Sequence, residues 1–598
     1  MRWRQDQCII NHLHEMASKS KIPRKITRLF PLVALWPLIL AGCSAGGGKV
    51  SFQPETSVAY FDDFNYRGMD DYYLDNPLEK ENQFYNPILP GWYSDPSICR
   101  NGEDYFLVTS TFSYYPGVPI FHSRDLVNWT QIGHVLDRPS QLPLGGQRIS
   151  EGIFAPAISY NPLNQTYYMI TTNIRRGNFF VKTRDPFGPW SDPVWLPEVG
   201  GIDPSFFFDD DGKAYIVNND APDGAPLYEG HRAIRVQQFD VETEKVFGPR
   251  KMIVNGGVNI AEKPIWIEGP HIYKIDGTYY LMNAEGGTGP QHSEVIFKGS
   301  NPMGPYVPWE RNPILTQRHL DPERENPVTC AGHADLVETP EGEWWAVFLA
   351  CRPIENRFEN LGRETFLMPV RWSEDGYPYM TRGEEEVPMI LEKEGIVRDK
   401  VAFGNFEVRD DFNDTLLEMT WMTLRAPGRD HYSLTGQPGY LSLTCSEERA
   451  TGRSTPALLS RRIQHHKFEC STSMVFDPAA DDAAGLLLLK DEGHQYFLSV
   501  GASDGVPEAA LLKISRSGEE DLARFPLKPH VKVIGLKVIS HGTTFDFYVS
   551  QKDDQWELLC AEVDAHYLST ANSFGFTGTT IGLYATKKAL AAVDRDTP

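Results

Sequence analysis

Three acidic residues each stand in a short string of similar form. Asp95 lies in Tyr93-Ser94-Asp95-Pro96-Ser97-Ile98, Asp203 in Gly201-Ile202-Asp203-Pro204-Ser205 and Glu268 in Trp266-Ile267-Glu268-Gly269-Pro270-His271. A related string, Gly332-His333-Ala334-Asp335, carries a histidine instead. Gathered in one cavity, the three carboxyl groups cannot all keep their usual charge, because burial and mutual repulsion disfavour it. Proteins accept that cost chiefly to bind a cation or to perform acid/base chemistry. Two carboxyl groups in opposite protonation states are what glycoside hydrolysis needs. The protonated one gives its proton to the leaving oxygen, while the ionised one activates a water or attacks the sugar carbon. A third carboxylate beside the acid raises its pKa and orients it.

Whether these residues meet depends on the elements that carry them. Each string is followed by a turn and an aromatic strand: Asn101 to Val108, Asn164 to Met169, Asp211 to Ile216, Asp276 to Leu281 and Glu341 to Ala346. Four of the five turns place Gly after Asn, Asp or Glu, the chemistry of a tight hairpin. The leading strings begin at Asp95, Ala155, Asp203, Gly269 and His333, at spacings of 60, 48, 66 and 64 residues. Such spacing suits one four-stranded antiparallel sheet per repeat, and five sheets stacked radially make a five-bladed β-propeller. The first strand of each blade then runs along the axis, so Asp95, Phe154-Ala155, Asp203, Glu268 and His333 converge on one face.

Composition excludes other classes. The chain of 598 residues carries 57 Lys and Arg against 80 Asp and Glu, net -23. With residues 1–42 set aside, 50 basic and 78 acidic side chains remain, net -28. Nucleic-acid binding draws its affinity from clustered Lys and Arg, so a phosphate-tracking partner is not expected. Fifty Gly, 44 Pro and 12% aromatic residues favour short strands and turns over a helical bundle.

The N-terminus reads as an address. Basic residues from Lys21 to Arg28 precede an apolar run, Leu29 to Leu40, too short to span a bilayer, so residues 1–42 are expected to be a signal peptide. Leu40-Ala41-Gly42-Cys43 is similar to a bacterial lipobox, which would lipidate Cys43 and anchor the protein in the cell envelope. Residues 43–80 are then a tether and N-terminal extension. The six cysteines beyond this region show no metal-binding spacing and are expected to be buried thiols or an occasional bridge.

The three acidic strings, with Pro116 to Ile120, His122 to Trp129, Ala284 to Thr288 and Gly362 to Phe366, resemble glycoside hydrolase family 43 over residues 84–380. These are the five-bladed β-xylosidases and α-L-arabinofuranosidases. The resemblance implies an inverting mechanism with Asp95 as general base, Glu268 as general acid and Asp203 as the residue that tunes the acid. It implies substrate contacts from Phe112, Phe154, Arg363 and His333. No cofactor is required for the chemistry, and the family's axial histidine, here His333, allows a structural calcium ion approached through water. Where relatives often carry Trp-Ala-Pro, this chain has Phe154-Ala155-Pro156, which keeps an aromatic platform and loses an indole donor.

The aromatic repeat stops near Gly395. From Arg409 a run of short alternating strands begins, including Tyr440 to Leu443, Gly485 to Leu489, Gln495 to Val500 and Phe545 to Ser550. The expected architecture is therefore all-β: a propeller over 81–395 and an antiparallel β-sandwich over 405–592. The resemblance implies that this sandwich packs on the propeller and lends a loop to the pocket. The expected function is release of xylose from the non-reducing ends of xylo-oligosaccharides. An α-L-arabinofuranosidase acting on arabinoxylan or arabinan is the runner-up, and a sugar-binding propeller without turnover the alternative of another class. Arg184-Asp185-Pro186 is out of phase with the repeat and reads as a turn, and Asp209-Asp210-Asp211-Gly212 lacks the spacing of a calcium loop.

Overall fold

The computed structural model describes residues 52–397, 403–503, 505–528, 531–552 and 555–587. The expected signal segment and Cys43 lie outside the described residues. The described chain is all-β, its longest helix being the five residues Asp71–Asp75.

Each of the five repeats forms its own antiparallel sheet, and in each the leading string enters a strand that pairs with the aromatic strand after the turn. These hairpins are Ser97–Asn101 with Asp104–Val108, Ile153–Asn161 with Thr166–Asn173, Ile202–Phe208 with Ala214–Asp220, Glu268–Ile275 with Thr278–Glu285, and Thr329–Glu338 with Trp344–Cys351. The first three sheets have four strands, as expected. The fourth has five and the fifth three, the last of which is bridged at Thr365 by Leu89, while Arg371–Trp372 and Pro378–Tyr379 pair with each other. The Asp209–Gly212 segment is a hairpin turn in which Gly212 N–H donates to Asp209 O at 3.1 Å.

The leading strands touch in order, and the fifth touches the first. Side chains from the strings tie neighbouring sheets together. Ser97 Oγ accepts from Ile158 N–H at 3.0 Å, and Ser205 Oγ donates to Pro270 O at 2.6 Å. Asp335, two residues past His333, makes the last join: it accepts from Ser97 Oγ (2.7 Å) and Ile98 N–H (2.9 Å) on one side and Tyr273 Oη (2.6 Å) on the other. The chain ends of this region are also clipped together, since Gln83–Tyr85 pairs with Ile390–Glu392.

The second half packs a six-stranded sheet against a nine-stranded sheet. Leu486, Leu488 and Leu498 of the first and Phe468, Leu536 and Phe547 of the second share one buried core. Two of the nine strands come from before the five sheets. Val58–Phe61 pairs with Leu441–Thr444 and Lys467–Phe476, and Phe64–Gly68 pairs with Glu407–Asp410 and the same Lys467–Phe476 strand. The stretch read as tether and extension over 43–80 thus holds two structural strands, whose Ala59, Phe61 and Phe64 are fully buried. The sandwich docks on the first half through Arg462, whose buried guanidinium lies 4.1 Å and 4.2 Å from the centroids of Trp92 and Tyr93. Its Nε donates to Trp92 O at 2.9 Å.

Candidate active site

The five repeat positions share one backbone conformation. Asp95, Ala155, Asp203, Gly269 and His333 all have positive φ, at 53°, 35°, 52°, 55° and 52°. For a residue with a side chain this left-handed region costs about 1–2 kcal/mol. In the last four sheets the ladder shifts register at that point, two residues opposing one, as in a β-bulge. Proline follows at 96, ahead of the first ladder pair, and at 156, 204 and 270, where the bulge leaves no ladder hydrogen bond for a missing N–H to break. The recurring string is the sequence of a strained turn that aims its first residue away from the sheet. At the fourth turn Gly269 takes the strained place, and a Cβ there would sit 3.0 Å from the His333 ring. The carboxylate of that repeat is Glu268, one residue earlier.

A cavity of about 540 Å³ opens above these turns. Asp95, Asp203, Glu268, His333, Arg363, Phe112 and Phe154, all expected from the sequence, line it together. Asp95 is the most heavily partnered of the acids. Its Oδ1 lies 3.2 Å from Arg363 Nη1, and its Oδ2 accepts from Ser110 Oγ at 2.6 Å. Ser110 is held in turn by Ala155 N–H, which donates to its Oγ at 2.8 Å. Asp203 Oδ2 accepts from Gly269 N–H at 3.2 Å, the amide immediately after Glu268. Arg363 is followed by Glu364, which forms a bidentate buried pair with Arg352 at 2.7 Å and 2.8 Å and fixes the strand that presents the guanidinium.

These surroundings separate the three acids. Burial alone would raise Asp95, but the Arg363 charge and the Ser110 hydrogen bond outweigh it and hold the carboxyl below its ordinary range. Burial, then the charge of Asp95, pushes Asp203 up to about 7 against the pull of the Gly269 amide. Burial, then the charges of Asp203 and Asp95, pushes Glu268 well above the carboxylate range. The cavity therefore favours the ionised form of Asp95 and the protonated form of Glu268. His333, driven down to about 4 by burial, is neutral.

Arg363 is the strongest influence holding Asp95 ionised, so its loss has a signed consequence. Arg363→Met is expected to raise the Asp95 pKa and move the acid limb of the kcat/KM profile to higher pH. An unmoved acid limb in a pH titration of that variant would show that Arg363 does not set the charge of Asp95.

The sandwich supplies part of the wall. Phe576 lines the cavity, its ring stacked on Phe112 (6.0 Å, 22°) and edge-on to Phe154 (5.5 Å, 82°). The Arg363 guanidinium lies 5.2 Å from its centroid. The loop that carries it is clamped: Ser150 Oγ accepts from Phe576 N–H at 3.1 Å, Lys490 Nζ donates to Thr577 O, and Asn360 O accepts from Thr579 N–H at 2.8 Å. Phe576→Ala is expected to raise KM by about tenfold through lost ring contacts while kcat changes less. Steady-state kinetics on a short oligosaccharide checks this, and an unchanged KM would place the substrate elsewhere.

The sequence profile described as Glycosyl hydrolases family 43 matches residues 84–378, the span that carries every one of these turns. A xylosidase/arabinosidase of Butyrivibrio fibrisolvens is 41% identical over 516 residues, covering 84% of this chain and 95% of its own. The chain belongs to glycosyl hydrolase family 43. Residues 409–594 of this family 43 enzyme match the Beta xylosidase C-terminal Concanavalin A-like domain. A non-reducing end alpha-L-arabinofuranosidase of Bacteroides ovatus is 36% identical and covers 84% of the enzyme and 91% of its own length. Among solved structures, a GH43_12 retrieved from capybara gut metagenome superposes with a TM-score of 0.83 at 44% identity, covering 88% of this chain and 99% of that one.

Further cavity residues of the family 43 enzyme escaped the sequence reading. Arg232, whose guanidinium lies 3.9 Å over the Trp266 ring, and Asn219, Asp220 and Ile174 line the cavity without a motif to mark them. Trp266 and Thr288 lie inside strings read for other residues. Phe576 had a faint local signal, the Gly-flanked Phe574-Gly575-Phe576-Thr577-Gly578. Calcium takes about six to eight oxygen ligands. The space beneath the turns is about 10 Å³, and beside His271, His333 and the four prolines it is bordered by the oxygen-bearing Asp95, Ser97, Asp203 and Ser205.

Proposed function

We propose that this family 43 enzyme removes xylose from the non-reducing ends of plant-polysaccharide oligosaccharides, with inversion, in a cavity at the hub of a five-bladed β-propeller. The observation that carries the reading is the division of charge between Asp95, held ionised by Arg363 and Ser110, and Glu268, held protonated by burial beside two other acids. A water deprotonated by Asp95 attacks the anomeric carbon while Glu268 gives its proton to the departing glycosidic oxygen. The bond to the leaving sugar breaks as the bond to water forms, and the protons on Asp95 and Glu268 then equilibrate with solvent. Asp203 acts through Glu268, raising its proton affinity by charge and holding the adjoining peptide through Gly269 N–H. Arg363 and the Phe112, Phe154 and Phe576 cluster bind and wall the sugar. The chemistry uses side chains of the enzyme and water, and needs no cofactor.

Support for the propeller comes from the five consecutive sheets, the ring of contacts among their leading strands and the Asp335 join between its ends. Residues 81–395 would be the propeller and 405–592 the sandwich, completed by strands from 58–68. Cleavage of terminal units is favoured by the wall that Phe576 adds to the cavity. Xylose is favoured because relatives such as those of Bacillus subtilis and Butyrivibrio fibrisolvens bear the names beta-xylosidase and xylosidase/arabinosidase. The arabinofuranosidase of Bacteroides ovatus favours a second reading, action on arabinoxylan or arabinan side chains. A panel of aryl β-xylosides and aryl α-L-arabinofuranosides decides between them: a higher kcat/KM on the xyloside is expected, and the reverse order would install the second reading. Lipidation at Cys43 would hold the enzyme at the cell envelope; Cys43→Ser is expected to release it from membranes, and an unchanged membrane fraction would refute the anchor.

A further inference from the structure

Two thiols and a carboxylate converge at the seam between the fifth sheet and the sandwich. Cys330, Cys351 and Glu359 each offer one ligand atom, and the three atoms lie within 4.8 Å of one another. Both cysteines are buried, at 2% and 1% exposure. Cys351 ends the strand Trp344–Cys351, directly opposite Thr329 in the ladder. Cys330 follows Thr329 with φ +56°, at a register shift that leaves it outside the regular pairing. Glu359 arrives from the loop ahead of Arg363, and its carbonyl accepts from Thr570 N–H of the sandwich at 3.3 Å. Thr329, the residue before Cys330, has a buried Oγ1 without a partner.

We propose that Cys330, Cys351 and Glu359 form a binding site for zinc or a similar borderline-soft divalent cation, separate from the catalytic carboxylates. The spacing of Cys330 and Glu359 suits it. Zinc ligated tetrahedrally by sulfur at about 2.3 Å and carboxylate oxygen at about 2.1 Å sets those two atoms about 3.6 Å apart. Cys330 Sγ lies 3.5 Å from Glu359 Oε1, a spacing that in the metal-free chain also serves a thiol to carboxylate hydrogen bond. Two sulfur ligands select zinc over calcium or magnesium, which prefer oxygen alone. Charge also balances. The ion brings two positive charges and displaces one proton from each thiol, so the net charge of the buried group is unchanged. The Lys490 ammonium, within electrostatic reach of Cys351 and Glu359, offsets the remaining carboxylate charge. The chain supplies three ligands, leaving a fourth position to a small ligand such as water.

The test uses the full chain, purified under reducing conditions, stripped with a chelator and titrated with cobalt(II) and then zinc(II). One equivalent of cobalt per chain is expected, with a thiolate-to-cobalt charge-transfer band that zinc bleaches. Cys330→Ser and Cys351→Ser should each lose that band, while Glu359→Gln keeps it with weakened affinity. Near-ultraviolet circular dichroism separates loss of the band from loss of the fold. A folded, reduced wild-type chain without the band would overturn the site, as would a band that survives both cysteine substitutions. A Cys330–Cys351 disulfide holding every copy of the chain isolated without reductant would also overturn it.

Discussion

Glu268→Ala is expected to lower kcat on xylo-oligosaccharides by about 10²–10⁴-fold, the range that a positioned proton donor supplies. The loss should depend on the leaving group. An unactivated sugar alkoxide leaves only when protonated, whereas a nitrophenolate leaves without help, so activity on aryl glycosides should fall far less. The protein should stay folded, because the substitution removes a carboxyl group that its neighbours oppose: burial and the charges of Asp203 and Asp95 all act against its ionised form. Kinetics across a series of aryl leaving groups checks the assignment. Equal losses on good and poor leaving groups would remove Glu268 from the role of acid.

Asp95→Asn is expected to be as damaging by a different route. Without the base, water is not activated whatever the leaving group, so the loss of about 10²–10⁴-fold should extend to aryl glycosides. The substitution also deletes a negative charge that raises both Asp203 and Glu268. The pKa values of those two groups should therefore fall, and the alkaline limb of the residual activity should move to lower pH. It leaves the Arg363 guanidinium, 8% exposed, without its carboxylate, and a buried charge stripped of its partner costs about 3–5 kcal/mol. A measured drop in Tm should accompany the kinetic loss, and Asp95→Asn with full activity on aryl substrates would contradict the assignment.

Much of the site was legible because a strained turn leaves a local mark. A left-handed residue followed by proline writes the same few letters at 95, 155, 203 and 269, and the turn after each leading strand writes a second set. Their shared phase places Asp95, Asp203, Glu268 and His333 on one face, and all four line the cavity. What was not legible depends on contacts between residues far apart in the chain. Phe576 meets Phe112 across more than 450 residues, and nothing near either announces the other. Val58–Phe61 and Phe64–Gly68 are short and aromatic, and they find their partners near residue 470, so they read as an extension rather than as part of the sandwich. The segment after the third strand of the fifth sheet pairs with itself, and the edge of that strand is instead met by Asn86 and Leu89 from far upstream, a choice made by packing and not by periodicity. Cys330 and Cys351 stand 21 positions apart with no motif between them, and only the bulge at Cys330 brings them to one side.

The assignment of Asp95 as a base acting on water, rather than as a nucleophile, is tested most directly by proton NMR of the first product. Hydrolysis of a β-xyloside should release α-xylose before mutarotation, with the β anomer appearing only later. β-Xylose as the initial product would mean retention through a covalent intermediate, and would contradict the division of roles between Asp95 and Glu268.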